Sequence, residues 1–479
     1  KKVHQKKLIL LIKIIKKLKV SQKKQDGGII NFFLKKFKYI NIFLLIYLIS
    51  FSANSIEKKT ITVLRDSEIE FFIQHLINEM LILHKKEKDS VKPRILLNNE
   101  INAFVVEKKN IYINSGLIQN ASSIEEIQGV LAHELGHLFL GHIQSRKAYR
   151  NRNSSHLAIA FFTLLGASLA SNSDLTGLIL VGQDLTLKSK YKYNRNQEME
   201  ADIFAIKSLN NLNINTIGLR NFFRKVDSKQ QIMSNNVNSY YISHPSPQNR
   251  LEVIKDLSKP NVNVISNKVD FGKFNIELDQ IKIKIDAFSK NKKNLNYKNY
   301  NNIFLKNYQN LAINYLNGNL KKALNYTKTI KNFNPSNPFI FELLGDLYFE
   351  RNEIDKSTKN YNKAIKLLEK FNIKSNSLIK LSLVKALIKK DSKKSLIEAF
   401  KVLEEIIPFE AQTTLLWRLI AKTAGKLNKI SIAYIALAEE QLIKKNIKKA
   451  KQYASLGLKD KKLSVLYKIR GEDILNLNN

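Results

Sequence analysis

Apolar residues recur along this chain in two rhythms. From Arg65-Asp-Ser-Glu-Ile-Glu-Phe-Phe-Ile73 the spacing is helical and predicts an amphipathic helix to about His84. Ile95-Leu-Leu97, Ala103-Phe-Val-Val106 and Asn110-Ile-Tyr-Ile-Asn114 then read as short strands. A turn at Glu107-Lys-Lys-Asn110 divides the last two. Helical spacing returns at Ile124, Ile127, Val130, Leu131, Leu135 and Leu138, opened by a capping-box pattern, Ser123-Ile-Glu-Glu126. Leu157–Ala170 is a run of fourteen uncharged residues, with Leu178-Ile-Leu-Val181 beyond it. Fourteen residues are short for a bilayer span, so the run reads as a buried core helix or as an apolar flap touching membrane or unfolded substrate. Another amphipathic helix is predicted from Asn196 to Leu209. Between 256 and 300 the periodicity fades except around Ile276–Phe288, and Lys290–Asn302, rich in Asn and Lys, reads as a linker.

Residues 303–479 are helical and repetitive. Phe341, Leu344, Gly345, Tyr348, Ser357, Tyr361 and Ala364 occupy the characteristic positions of a 34-residue tetratricopeptide repeat. Ala323 stands 34 residues before Ser357, and Asn334-Pro335 marks a repeat end. Trp417, Ile420, Ala421, Ala424, Ala433 and Leu437 read as a later copy, continued by Ala450 and Ala454; residues 376–410 are degenerate. In such a solenoid small residues mark close helix approaches and aromatic residues fill the gaps.

Composition changes this picture mainly at the N-terminus. The 479 residues carry a formal net charge of +39, long enough for two or three domains. Lys, Ile and Asn are abundant throughout, which reflects an AT-rich coding sequence, and no nucleic-acid-binding motif accompanies the charge. The basic excess suits acidic membrane surfaces. With no cysteine, no disulfide frames the fold. Residues 1–38 hold thirteen Lys and one acidic residue, Asp26. Tyr39–Phe51 is an apolar core and Ser52-Ala-Asn-Ser55 a small-residue exit, so 1–55 reads as a basic segment and signal peptide. The mature chain is expected near Ile56, the alternative being an uncleaved anchor.

The chemistry is concentrated in Val130-Leu-Ala-His-Glu-Leu-Gly-His137. On a helix His133 and His137, at i and i+4, share one face and can grip one zinc ion. Glu134 lies on the neighbouring strip, within reach of a water beside that metal. A third ligand is needed, and Glu198 in Asn196-Gln-Glu-Met-Glu-Ala-Asp202 is the candidate. Asp202, four residues on, would hold a ligand histidine through its other ring nitrogen. These carboxylates alone would read as a solvated helix start; paired with the histidine motif they read as ligands, Glu200 being the fallback. His142 and His156 have no motif partner and read as surface or supporting residues.

His133-Glu-Leu-Gly-His137 followed by Glu198-Met-Glu-Ala-Asp202 resembles the gluzincin zinc metallopeptidases of the HtpX and CAAX-prenyl-protease type. Asn102-Ala-Phe104, Ile111-Tyr-Ile-Asn-Ser-Gly-Leu117 and His244-Pro-Ser-Pro-Gln-Asn-Arg250 carry further matches. The layout is similar to the periplasmic, BepA-like branch with a tetratricopeptide tail. The resemblance implies a mainly α fold: a zinc metallopeptidase domain with a small β-sheet edge, then an α-helical tetratricopeptide solenoid. The expected division is 1–55 basic segment and signal peptide, 56–258 metallopeptidase domain, 259–302 linker region and 303–479 repeats.

The resemblance also brings His244 and Arg250 to the active site, as catalytic groups beside Glu134. His244 is open to two roles, acting on substrate or closing the fourth position on Zn2+. One zinc per chain, held by His133, His137 and Glu198, would serve a periplasmic endopeptidase. Its implied substrates are unfolded or misassembled outer-membrane proteins, docked with their assembly machinery through the repeats. A chaperone or assembly scaffold with a latent protease domain is the alternative. If the repeats are a docking arm, a chain lacking 303–479 should cleave a short peptide normally and its native client poorly.

Overall fold

The computed structural model describes residues 62–107, 109–143, 195–232, 240, 244, 249–259, 268–271, 274–289, 299–370 and 376–477. The expected signal peptide, Leu157–Ala170, Leu178–Val181, His156 and the linker up to residue 298 lie outside them. No helix among the described residues is long and apolar enough to cross a membrane.

The first helix, α1 (Ser67–Leu83), starts where Asp66 accepts hydrogen bonds from the Glu68 and Ile69 N–H groups at 3.1 and 3.0 Å. Ile69, Phe72, Ile73, Leu76, Ile77 and Met80 then recur at helical spacing, and all are buried. β1 (Val63–Leu64), β2 (Lys92–Leu96), β3 (Ala103–Glu107) and β4 (Asn110–Asn114) form one sheet in the order β1-β2-β4-β3. β2 and β4 pair in parallel; the outer pairings are antiparallel. A short helix, α2 (Ser115–Asn120), leads to α3 (Ile124–Phe139), which packs beside edge strand β3.

Every residue of α3 from Ile124 to His137 is buried, so this helix is the centre of the first half of the described chain. The expected capping box does not form. The Ser123 side chain makes no cap bond, and the Glu126 carboxylate instead accepts from the Ser122 N–H at 3.1 Å and from Lys225 Nζ at 2.6 Å. Lys225 also reaches the Asn120 carbonyl and the Ser122 hydroxyl, so a cation from another helix competes successfully for Glu126. Two helices pack on α3: α4 (Arg195–Asn211) and α5 (Ile217–Ile232). At the α3–α4 crossing a Cβ on Gly136 would lie 3.1 Å from Ala201 Cα, so two small residues permit the approach. The short helix α6 (Arg250–Leu257) packs against α4.

Within 259–302, expected as a linker region, the described residues include an antiparallel pair, β5 (Lys268–Asp270) and β6 (Asn275–Glu277), and helix α7 (Leu278–Ser289). Ile281 and Ile285 of α7 are fully buried, and Lys284 Nζ contacts Asp66 at 2.9 Å and Glu68 at 3.0 Å.

Among the described residues from Ile303 to Leu475 stand ten helices, beginning with α8 (Ile303–Leu316) and α9 (Leu320–Phe333), the first pairs joined by turns of a few residues. Such short connections force neighbours to lie antiparallel. In the pair α10 (Pro338–Glu350) and α11 (Ile354–Lys370), a Cβ on Gly345 would lie 2.5 Å from the Tyr361 ring. The degenerate stretch 376–410 is also a helix pair, α12 (Ser377–Lys390) and α13 (Lys393–Glu410). Here Ser392 and Ser395 form a reciprocal capping box.

The helical array and the half that precedes it share one apolar core, running from Leu64 to Tyr467. Polar contacts seal the seam: Arg65 Nη2 meets Glu410 at 2.9 Å, the Tyr308 hydroxyl donates to Glu68 at 2.8 Å, and the Ser67 hydroxyl donates to Glu342.

Candidate metal centre

Two helix crossings assemble the centre. α3 presents His133 and His137 one turn apart, with Nε2 atoms 3.0 Å from each other. Across the Gly136–Ala201 contact, α4 turns Glu198 toward both rings. Its Oε1 lies 3.3 Å from His137 Nε2 and its Oε2 3.4 Å from His133 Nε2. His244 joins them, with Nδ1 3.2 Å from Glu198 Oε1 and its ring stacked on Tyr240 at 4.7 Å. One donor atom from each of His133, His137, Glu198 and His244 can be chosen within 4.8 Å of the others, and all four residues are buried.

Zinc passes a geometric test here. Donors bound at about 2.0–2.1 Å to a tetrahedral ion stand about 3.3 Å apart. The separations among His133, His137 and Glu198 fall at 3.0–3.4 Å, with one carboxylate oxygen of Glu198 facing each ring. Imidazole nitrogens with one carboxylate are also the donor chemistry zinc prefers.

The surrounding groups fix these donors. His133 Nδ1 lies 2.9 Å from Asp202 Oδ1. Arg250 donates through Nε to Asp202 at 2.6 Å and through Nη2 to Glu198 at 2.8 Å. Its guanidinium rests 4.0 Å over the Phe223 ring. The expected catalytic Arg250 is therefore held among carboxylates. It binds the two acids that support and complete the donor set. Glu134 is fully buried beside the donors, with Oε1 3.5 Å from His244 Nε2.

The electrostatics follow from crowding charge without solvent. Burial resists charging the His133 ring, yet the bonds from Asp202 and Glu198 outweigh it and lift its pKa to about 10. Burial, with His133 and His244 close by, drives His137 well below the usual histidine value. Burial opposes ionising Glu198, but His244 and the bonds to all three histidines hold it well below the ordinary carboxylate range. Imidazole binds a metal only when the donor nitrogen is deprotonated, so proton and metal compete for His133.

His142 is the residue whose place the sequence pattern did not fix. Gly141 takes a left-handed φ of +77° just past α3. His142 is buried, with Nδ1 2.9 Å from His137 Nδ1 and Nε2 2.9 Å from Glu200 Oε2. A glycine one residue past a helix end, directly followed by histidine, was the available signal.

Helices, a small sheet and a buried two-histidine, one-carboxylate group together define a candidate metal-binding domain. Residues 64–258 match Peptidase family M48, and the chain carries a domain of that family. The metalloprotease YcaL of Escherichia coli K12 is 29% identical over 166 residues, covering 35% of this chain and 61% of that protein. The metalloprotease LoiP of the same organism is 27% identical over 167 residues, 35% and 62% of the two chains. The beta-barrel assembly-enhancing protease of Escherichia coli O157:H7 is 25% identical over 160 residues, 33% and 32%. The chain thus spans less than two thirds of the length of the relatives it matches.

Proposed function

We propose that this protein is a zinc endopeptidase whose ion is held by His133, His137 and Glu198. The observation that carries the reading is the buried convergence of those donors, with Glu134 buried beside them. Zinc when bound supplies a Lewis acid able to lower the pKa of a water from about 15.7 to about 7. The protein's own groups do the remaining work. Glu134 takes the proton of the attacking water and delivers it to the leaving amine. Asp202 holds the His133 ring by its second nitrogen, and Arg250 orients Glu198 and Asp202 through its hydrogen bonds to both. Edge strand β3 beside α3 suits an extended peptide adding itself to the sheet.

The finer reading is a periplasmic enzyme acting on unfolded or misassembled outer-membrane proteins. Relatives named beta-barrel assembly-enhancing protease support it, as does the export-signal pattern of residues 1–55. The helix pairs after Ile303 support reading that region as tetratricopeptide repeats that dock clients. The scaffold alternative draws on His244: its ring lies in the donor group, and a zinc site closed by four protein donors is a resting site.

The test measures zinc content and cleavage of an unfolded outer-membrane protein for wild type and Glu134→Gln. Stoichiometric zinc in both, with cleavage reduced about 100- to 10,000-fold in the variant, is the expected result. Equal cleavage by the two would remove Glu134 from the chemistry. A wild-type chain that holds zinc and cleaves nothing would favour the scaffold.

A further inference from the structure

His133 and His137 are held from behind in different ways. Behind His133 stands a buried carboxylate, Asp202, in direct contact at 2.9 Å. Behind His137 stands another imidazole, and only behind that a carboxylate. His142 Nδ1 lies 2.9 Å from His137 Nδ1, and His142 Nε2 lies 2.9 Å from Glu200 Oε2. His142 has 5% of its side chain exposed, whereas Glu200 has 60%.

We propose that His142 and Glu200 form a positioning relay that fixes the tautomer and ring orientation of His137. The proposal rests on the zinc reading above. Tautomer logic gives the relay its direction. When His137 offers Nε2 to a metal, its single ring proton sits on Nδ1 and must be donated outward. His142 Nδ1 lies 2.9 Å from that atom and, in this tautomer of His137, accepts from it. His142 then carries its own proton on Nε2 and donates it to Glu200. Each hydrogen bond has one sense, and the chain ends on an anion at the protein surface. Asp202 reaches the same end for His133 in one step, inside the protein. Outer partners of this kind are typically worth 10- to 100-fold in metal affinity. Because water can replace an exposed carboxylate, Glu200 should contribute less than His142.

Zinc affinity of the full chain, by competition with a fluorescent chelator, is compared for wild type, His142→Leu, His142→Asn and Glu200→Ala. The melting temperature of each zinc-stripped chain is measured alongside. His142→Leu should weaken zinc by about 10- to 100-fold. His142→Asn, whose side-chain oxygen stands where Nδ1 accepted, should recover most of that loss, and Glu200→Ala should fall between it and His142→Leu. Zinc-stripped melting temperatures should stay together. Wild-type affinity in His142→Leu overturns the relay. So does an equal loss in His142→Leu and His142→Asn with both stripped chains melting lower, because packing then explains it. Unchanged affinity in Glu200→Ala removes the outer half. A wild-type chain that binds no zinc instead overturns the underlying reading, and so is told apart from failure of the relay.

Discussion

The α3–α4 crossing and the α10–α11 crossing use the same steric device for different ends. In each, a glycine stands where a Cβ would collide with the partner helix: Gly136 against Ala201, Gly345 against Tyr361. At the metal centre the partner is itself small, so two backbones approach and bring Glu198 level with His133 and His137. In the array the partner is a large ring, and Gly345 is the socket that seats it. Close approach is therefore not a mark of function by itself. What fills the space beside it decides: charged donors in one case, an aromatic ring in the other.

That contrast can be broken at three places. The largest effect is expected from removing residues 303–479. The expectation of an intact protease without its docking arm yields to the seam, because Glu68 loses Tyr308, Ser67 loses Glu342 and Arg65 loses Glu410. The truncated chain should be insoluble or should fail on a short peptide and a native client alike. Normal peptide cleavage by it would show that the seam is dispensable to the centre.

A smaller effect is expected from Glu68→Ala. Lys284 keeps Asp66 but loses its other buried carboxylate, and Tyr308 loses its acceptor. Denaturant unfolding should show a loss of about 3 kcal/mol, with zinc stoichiometry unchanged. A loss below experimental error would mean the seam is polar decoration.

Smallest is a pair within the array. Gly345→Ala forces the new methyl into Tyr361 and should cost about 1–3 kcal/mol. Gly425, also helical, has open space at its Cβ position, and Gly425→Ala should stabilise by about 0.5–1 kcal/mol. Equal shifts in thermal melting would refute the socket.

Much of this was legible in the sequence because it is local. The helix carrying His133 and His137, the Glu198–Asp202 helix and the strands of the small sheet follow from i, i+4 and alternating patterns that involve only near neighbours. Arg250 could be brought to the site by resemblance but not given its role. Whether a guanidinium faces substrate or two carboxylates depends on how α6 lies against α4. Ser123 carried the capping pattern, yet Lys225 from α5 took its partner Glu126. His142 could be read only as surface or supporting, because which of the two it is depends on its contact with Glu200, 58 residues along the chain. The share of α7 in the common core was invisible for the same reason: Lys284 answers to Asp66 and Glu68, far earlier in the chain.

The seam also sets an order of events in time. Glu68 and Tyr308 are 240 residues apart, Ser67 and Glu342 275, Arg65 and Glu410 345. Helix α1 leaves the ribosome early but cannot complete these bonds until nearly the whole chain has followed it. Contacts closing such long loops form late in folding. The seam is therefore a clock: it cannot close until the helical array is present.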